Sequence, residues 1–163
     1  MINNDANLIN VNMADMKIAS APSVMRTVLG SCIGVLFYEP RMKLGGLIHI
    51  MLPEPSDTSN PNVAKFATIG IPALLEGMQK EGAVKKNIIC KICGGAKMFA
   101  GFSANSVTDI GSRNQAAVID TLGKLGVRVN AKDLGGTTGR KIVVDLADGS
   151  VKISHFNVGE KVI

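Results

Sequence analysis

Tryptophan is absent from this chain, tyrosine occurs once and histidine twice. Its eighteen lysines and arginines form no run of like charge. With few rings for base stacking and no basic stripe, the pattern of a nucleic-acid-binding protein is missing. The three cysteines are an odd number, so no complete disulfide framework is expected, and free thiols fit a reducing, cytoplasmic setting. No apolar run reaches the length of a membrane span, and "MINNDANLINVNMADMKIA" has no basic segment leading into an apolar one. Neither membrane insertion nor export is expected.

What is present describes a folded domain. The 163 residues are 46% hydrophobic and 19% charged, enough for one domain over residues 1–163 with a core that needs no disulfide or structural metal. The net charge of +5 is spread along the chain, in pairs such as Lys85-Lys86 and Arg140-Lys141. A mild attraction to an acidic protein partner is the use that suits it.

"NLINVNM" and "VMRTVLG" have strand composition, and "CIGVLFYEP" and "LGGLIHIMLP" are nearly continuous apolar strands joined by a turn, a hairpin expected to be buried on both faces. "EPSDTSNPN" is a loop leading to a helix expected from about Pro61, with Pro72 kinking or restarting it and Gly82 ending it. "KKNIICKICGG" predicts a strand, "AKMFAGFSANSVTD" an irregular crossing, and "IGSRNQAAVIDTLGKLG" a second amphipathic helix closed by Gly126. "VRVNAKDLGG", "RKIVVDLA" and "SVKISHF" give further strands, with Asp148-Gly149 as a hairpin signal. The expected fold is α+β, strand-rich, with two principal helices packed on it.

So few reactive side chains allow the pairs to be enumerated. Cys32 opens the first strand of the hairpin and His49 lies near the end of the second. A turn at residues 40–41 would set position n opposite 81 minus n and bring the two level. A thiol beside an imidazole is the arrangement of a cysteine nucleophile and its base. The alternatives are a small buried hydrophobe for Cys32 and a core histidine for His49. Gly30 and Ser31 in "LGSC" favour the catalytic pairing, since free backbone amides there can hold an oxyanion. An adjacent imidazole should also lower the Cys32 pKa.

Cys90 and Cys93 form "CKIC", but residues three apart on a strand face opposite ways, and no second pair completes a zinc site; their expected role is structural. "DLGGTTGRK" (133–141) lacks phosphate-loop spacing and marks a close approach of backbones. The same holds for "ICGGAKMF". His155 in "ISHF" is expected on a strand surface. No metal or organic cofactor is called for.

"LGSCIGVLFYEP", "GGLIHIMLP", "GGAKMF", "IGSRN" and "DLGGTTGRK", in this order and at these intervals, resemble the CheD family, the chemoreceptor glutamine deamidases of bacterial and archaeal chemotaxis. The resemblance runs from "INVNMAD" to "NVGEKVI". It implies a β-rich α/β sandwich like the cysteine deamidase domains of certain bacterial toxins. It also implies an amidohydrolase converting glutamines in the cytoplasmic region of methyl-accepting receptors to glutamate, with Cys32 as nucleophile, His49 as base and, in many species, a CheC phosphatase as partner. A third catalytic threonine in the family pattern stands six residues before the cysteine. Here Thr27 stands five before, which on an ideal strand turns it to the opposite face unless a bulge intervenes. Two other functions fit the same residues: a module that binds the phosphatase or the receptor, and a hydrolase of receptor glutamate methyl esters.

Overall fold

The computed structural model describes residues 7–98 and 109–163. One five-stranded sheet runs β1 (Leu8–Asn10), β3 (Val24–Leu29), β8 (Arg140–Asp145), β9 (Ser150–His155) and β10 (Gly159–Val162). The other runs β2 (Met16–Ser20), β5 (Leu44–Ile50), β4 (Ile33–Glu39), β6 (Ile89–Gly94) and β7 (Val129–Leu134). Helices α1 (Ala67–Lys80) and α2 (Ile110–Lys124) and two short 3-10 turns, Val63–Lys65 and Lys85–Asn87, complete the described elements. The α+β expectation, a strand-rich sandwich with two principal helices, matches this architecture.

The burial pattern explains the layering. β4 and β5 are buried at every position, because the second sheet is covered on both faces. Its inner face meets the first sheet, where Leu36 and Leu47 pack with Met25, Leu29, Ile142, Val144 and Ile153. Its outer face meets the helices, where Val35, Phe37, Ile48 and Ile50 pack with Ile71, Leu74, Met78, Val118 and Leu122. The first sheet is open to water on one side and alternates accordingly: in β3 Met25, Thr27 and Leu29 face inward while Arg26 and Val28 are exposed. Gly46 lets α1 come close, since a Cβ there would lie 2.7 Å from Leu74 Cδ1.

Several boundaries differ from expectation. A 3-10 turn at Val63–Lys65 precedes α1, so the helix starts later than Pro61, and Pro72 neither ends nor restarts it. The N–H that Pro72 lacks would have reached the carbonyl of Thr68 in the exposed first turn, where the loss is best tolerated. Gly82, at φ +102°, follows the end of α1. α2 is capped by Asp109, whose carboxylate accepts from the Ser112 N–H at 3.2 Å and its hydroxyl at 2.6 Å; Gly126, at φ +68°, lies beyond its end. β2 and β10 were not expected. β10 is exposed throughout and is held by its pairing with β9 rather than by an apolar face. Most of the crossing expected over "AKMFAGFSANSVTD" lies outside the described residues. Among those described, no helix is long and apolar enough to cross a membrane.

Candidate active site

The hairpin register brings Cys32 and His49 to one face, with an offset. The connection between β4 and β5 takes four residues, 40–43, with Lys43 at φ +49°. Ile33 therefore pairs with Ile50, Gly34 with His49 and Glu39 with Leu44. The rule is 83 minus n, not the expected 81 minus n. His49 lies opposite Gly34, and Cys32 is its diagonal neighbour. A shift of two keeps the face unchanged: Cys32 packs on the inter-sheet core and His49 points into the same gap. Diagonal positions on a regular sheet are roughly 7–8 Å apart. Accordingly, among the described residues no hydrogen bond joins Cys32 to His49, and the His49 Nε2 is buried without a partner.

The other ring nitrogen is engaged. Thr27 on β3 places Oγ1 2.7 Å from His49 Nδ1, a contact between the two sheets. The expectation that the five-residue spacing turns Thr27 away fails for a topological reason. Thr27 lies on the first sheet and Cys32 at the end of the connection, residues 30–32, that leads into β4 of the second, so strand parity does not carry from one to the other. No bulge is involved, since β3 pairs with β8 without interruption from Val24 to Leu29.

Burial governs the protonation of both groups. It pushes the Cys32 thiol above its ordinary value. It pulls the His49 imidazole below its own, with the nearby Val11 carbonyl opposing. The depressed thiol pKa expected from a neighbouring imidazole is thus not found, because a ring that is itself kept neutral offers no positive charge to stabilise a thiolate. Both shifts favour the uncharged forms, thiol and neutral imidazole. Cys90 and Cys93 are pushed up to about 12 by burial and sit in opposite cores, Cys90 under the helices and Cys93 between the sheets. That is the outcome expected from their odd spacing.

The loop carrying Cys32 is tied down through its carbonyls. Gly30 O accepts from Ala96 N, and Cys32 O from Gly95 N, each at 2.9 Å. Ser31 O accepts from Asn114 Nδ2 at 3.1 Å. Gly94, at φ +112°, permits this approach, since a Cβ there would lie 2.2 Å from the Cys32 carbonyl oxygen. Behind it, Gly135 N donates to Gly94 O and Lys97 N to Gly136 O, so the two paired-glycine motifs do meet as close backbones. Arg140 anchors the second motif by donating to the Gly135 carbonyl and to both the carbonyl and carboxylate of Asp133. His155 is not the surface residue expected: it is half-buried, with Nε2 2.9 Å from Asp133 Oδ1. Lys161 pairs with the same carboxylate. Sequence reasoning assigned no role to Asn114 or Arg140. The signal for Asn114 was a polar residue four positions after Ile110 and four before Val118, on the buried stripe of α2.

A groove of about 600 Å³ opens beside His49 and Thr27, walled by residues 10–13 and by Arg26, Val28 and Lys141. Cys32 is not part of its wall. Among the described residues no cluster of histidine, cysteine or carboxylate side chains is placed to hold a metal ion.

Known proteins are similar to this chain in sequence. Residues 51–155 match the family model described as CheD chemotactic sensory transduction. A protein from Clostridium novyi is 43% identical over 95% of this chain and 97% of its own, and one from Desulforamulus reducens 41% identical over 95% of each. A third, from Caldanaerobacter subterraneus, is 41% identical over 98% of this chain and 99% of its own. All three are named probable chemoreceptor glutamine deamidase CheD.

The chain belongs to the CheD family.

The family model stops short of Thr27, Cys32 and His49, whereas the CheD relatives align over nearly the whole chain. A solved structure, the Bacillus licheniformis hypothetical protein YfiH, aligns with this CheD-family chain at a TM-score of 0.46 and 14% identity, over 76% of this chain and 50% of that one. That likeness is too loose to bear on the site.

Proposed function

We propose that this CheD-family protein deamidates glutamine side chains of chemoreceptors, with Cys32 as nucleophile and His49 as general base. The observation that carries the mechanism is the His49 ring, bonded to Thr27 through Nδ1 while Nε2 is buried and unpartnered among the described residues. If Thr27 Oγ1 accepts from Nδ1–H, the lone pair is left on Nε2, the tautomer a base requires.

The steps follow. Nε2 takes the Cys32 proton as the glutamine carboxamide enters, since catalytic contacts that are long without substrate tighten around it. The thiolate attacks the carboxamide carbon, and backbone N–H groups of the loop at Gly30 and Ser31 are the donors proposed for the oxygen that becomes negative. The C–N bond breaks as protonated His49 returns its proton to departing ammonia. Water, activated by the same ring, then cleaves the thioester to release glutamate and regenerate the thiol. No step calls on a metal or organic cofactor. Arg26 and Lys141 beside the groove suit a receptor segment with acidic flanks. A CheC-type phosphatase as second partner, and a cytoplasmic location, rest on the family resemblance.

The test is mass spectrometry of a receptor cytoplasmic fragment incubated with the protein. Conversion of identifiable glutamines to glutamate is expected, and Cys32→Ala should abolish it while Cys90→Ala and Cys93→Ala retain it. Unmodified glutamines with stable complex formation would favour a binding module, and cleavage confined to methyl-esterified glutamates would favour an esterase. Turnover by Cys32→Ala would remove the thiol from the mechanism.

A further inference from the structure

α2 presents an apolar stripe to the second sheet, and Asn114 interrupts it at 0% exposure. A carboxamide in that position costs free energy unless its groups are bonded. Its Nδ2 donates twice, to Ser31 O at 3.1 Å and to Met51 O at 2.9 Å. Its Oδ1 is buried and has no donor among the described residues. Turning the amide over would set that oxygen against two carbonyls, so the orientation is fixed by what the NH2 group holds.

The two carbonyls belong to the two halves of the site. Ser31 immediately precedes Cys32, and Met51 lies two residues beyond His49. A trans peptide is planar, with C=O and the following N–H pointing in opposite directions. Holding Ser31 O toward α2 therefore turns the Cys32 N–H away from α2. That N–H donates to no acceptor among the described residues. We infer that Asn114 is a positioning residue for the deamidation: it aims the Cys32 amide as an oxyanion donor and clasps the nucleophile loop to the end of the strand that carries His49. This rests on the reading of Cys32 as the nucleophile.

The distinction from a merely structural role lies in which reaction suffers. Deamidation passes through an oxyanion, whereas alkylation of Cys32 by iodoacetamide does not. Asn114→Ala should lower kcat for receptor deamidation roughly 10–100-fold, leave KM little changed, and leave Cys32 alkylation, followed by peptide mass spectrometry, close to that of the wild type. Asn114→Ser, which keeps one donor, should fall between. Unchanged kcat in folded Asn114→Ala would overturn the assignment, as would an equal loss in alkylation and deamidation. Failure of both variants to fold, seen by circular dichroism, would make Asn114 a folding residue and also overturn it. A wild-type protein that alkylates at Cys32 but deamidates no receptor would overturn the functional reading itself and this inference with it, an outcome separable from a defect confined to the variants.

Discussion

The two histidines occupy the same kind of place and are given opposite chemistry. Each bridges the two sheets. His49, on the second sheet, meets the hydroxyl of Thr27 on the first. His155, on the first, meets the carboxylate of Asp133 on the second. His49 has a neutral partner, deep burial and one nitrogen without a partner among the described residues, which keep the ring uncharged and able to accept a proton. His155 shares its acceptor with Arg140 and Lys161. Burial of Asp133 opposes its ionisation, but the Lys161 hydrogen bond and Arg140 outweigh that and hold its carboxyl below the usual value. One bridge leaves a reactive site open, and the other closes a charge cluster that fastens the sheet edges together. A histidine in an inter-sheet gap thus says little until the charge of its partner is known.

The sharpest way to break this comparison is His49→Asn. Asparagine can hydrogen-bond but cannot take a thiol proton at neutral pH, so deamidation should fall ~10²–10⁴-fold. The deficit should shrink in alkaline buffer, where hydroxide forms the thiolate unaided. Near-wild-type turnover in the folded variant would return His49 to the core and erase the contrast with His155.

Thr27 offers a smaller lever on the same ring. Thr27→Val keeps the shape and removes the partner of Nδ1, so the ring loses its anchor. A fall in kcat of roughly 10–100-fold is expected, and Thr27→Ser should recover most of it. Equal effects of valine and serine would mean that packing, not the hydroxyl, matters at this position.

How much of this was legible beforehand follows from the kind of information each feature needs. The continuous apolar runs of β4 and β5 announced strands buried on both faces, and the odd spacing of Cys90 and Cys93 announced opposite sides. Both are local properties of a strand. The shared face of Cys32 and His49 was also legible, because an error of two in register leaves parity intact. Thr27 was misplaced because parity was carried across residues 30–32, where the chain changes sheets, and nothing local marks such a crossing. β10 was missed because an all-exposed strand has no alternation to show. The partners of Asn114 and Asp133 come from distant segments, and only the fold brings them together.

A shift along the pH axis comes next in size. Because burial raises the Cys32 thiol and lowers the His49 ring, the free enzyme holds no thiolate–imidazolium pair. The alkylation rate of Cys32 should therefore keep climbing beyond the ordinary thiol value of 9.0. For deamidation, a base with a depressed pKa stays competent as pH falls through the ordinary histidine value of 6.5 and is lost only below it. An alkylation rate already level at neutral pH would show a preformed ion pair and reverse the assignment of charge.

The smallest effect should come from His155→Asn. Asp133 would lose one of its three side-chain partners while Arg140, at 1% exposure, and Lys161 remain. Removing Arg140 alone would be severe, since a buried charge left without its main partner costs several kcal/mol. Taking away one half-buried donor should cost only about 0.5–1.5 kcal/mol, seen as a Tm lowered by roughly 1–6 °C in a protein of this size. The kcat for receptor deamidation should stay at the wild-type value, because His155 touches none of the reacting groups and the Arg140 anchor on the Gly135 carbonyl is kept. A fall in kcat without a fall in Tm would give His155 a part in the chemistry and dissolve the division between the two inter-sheet bridges.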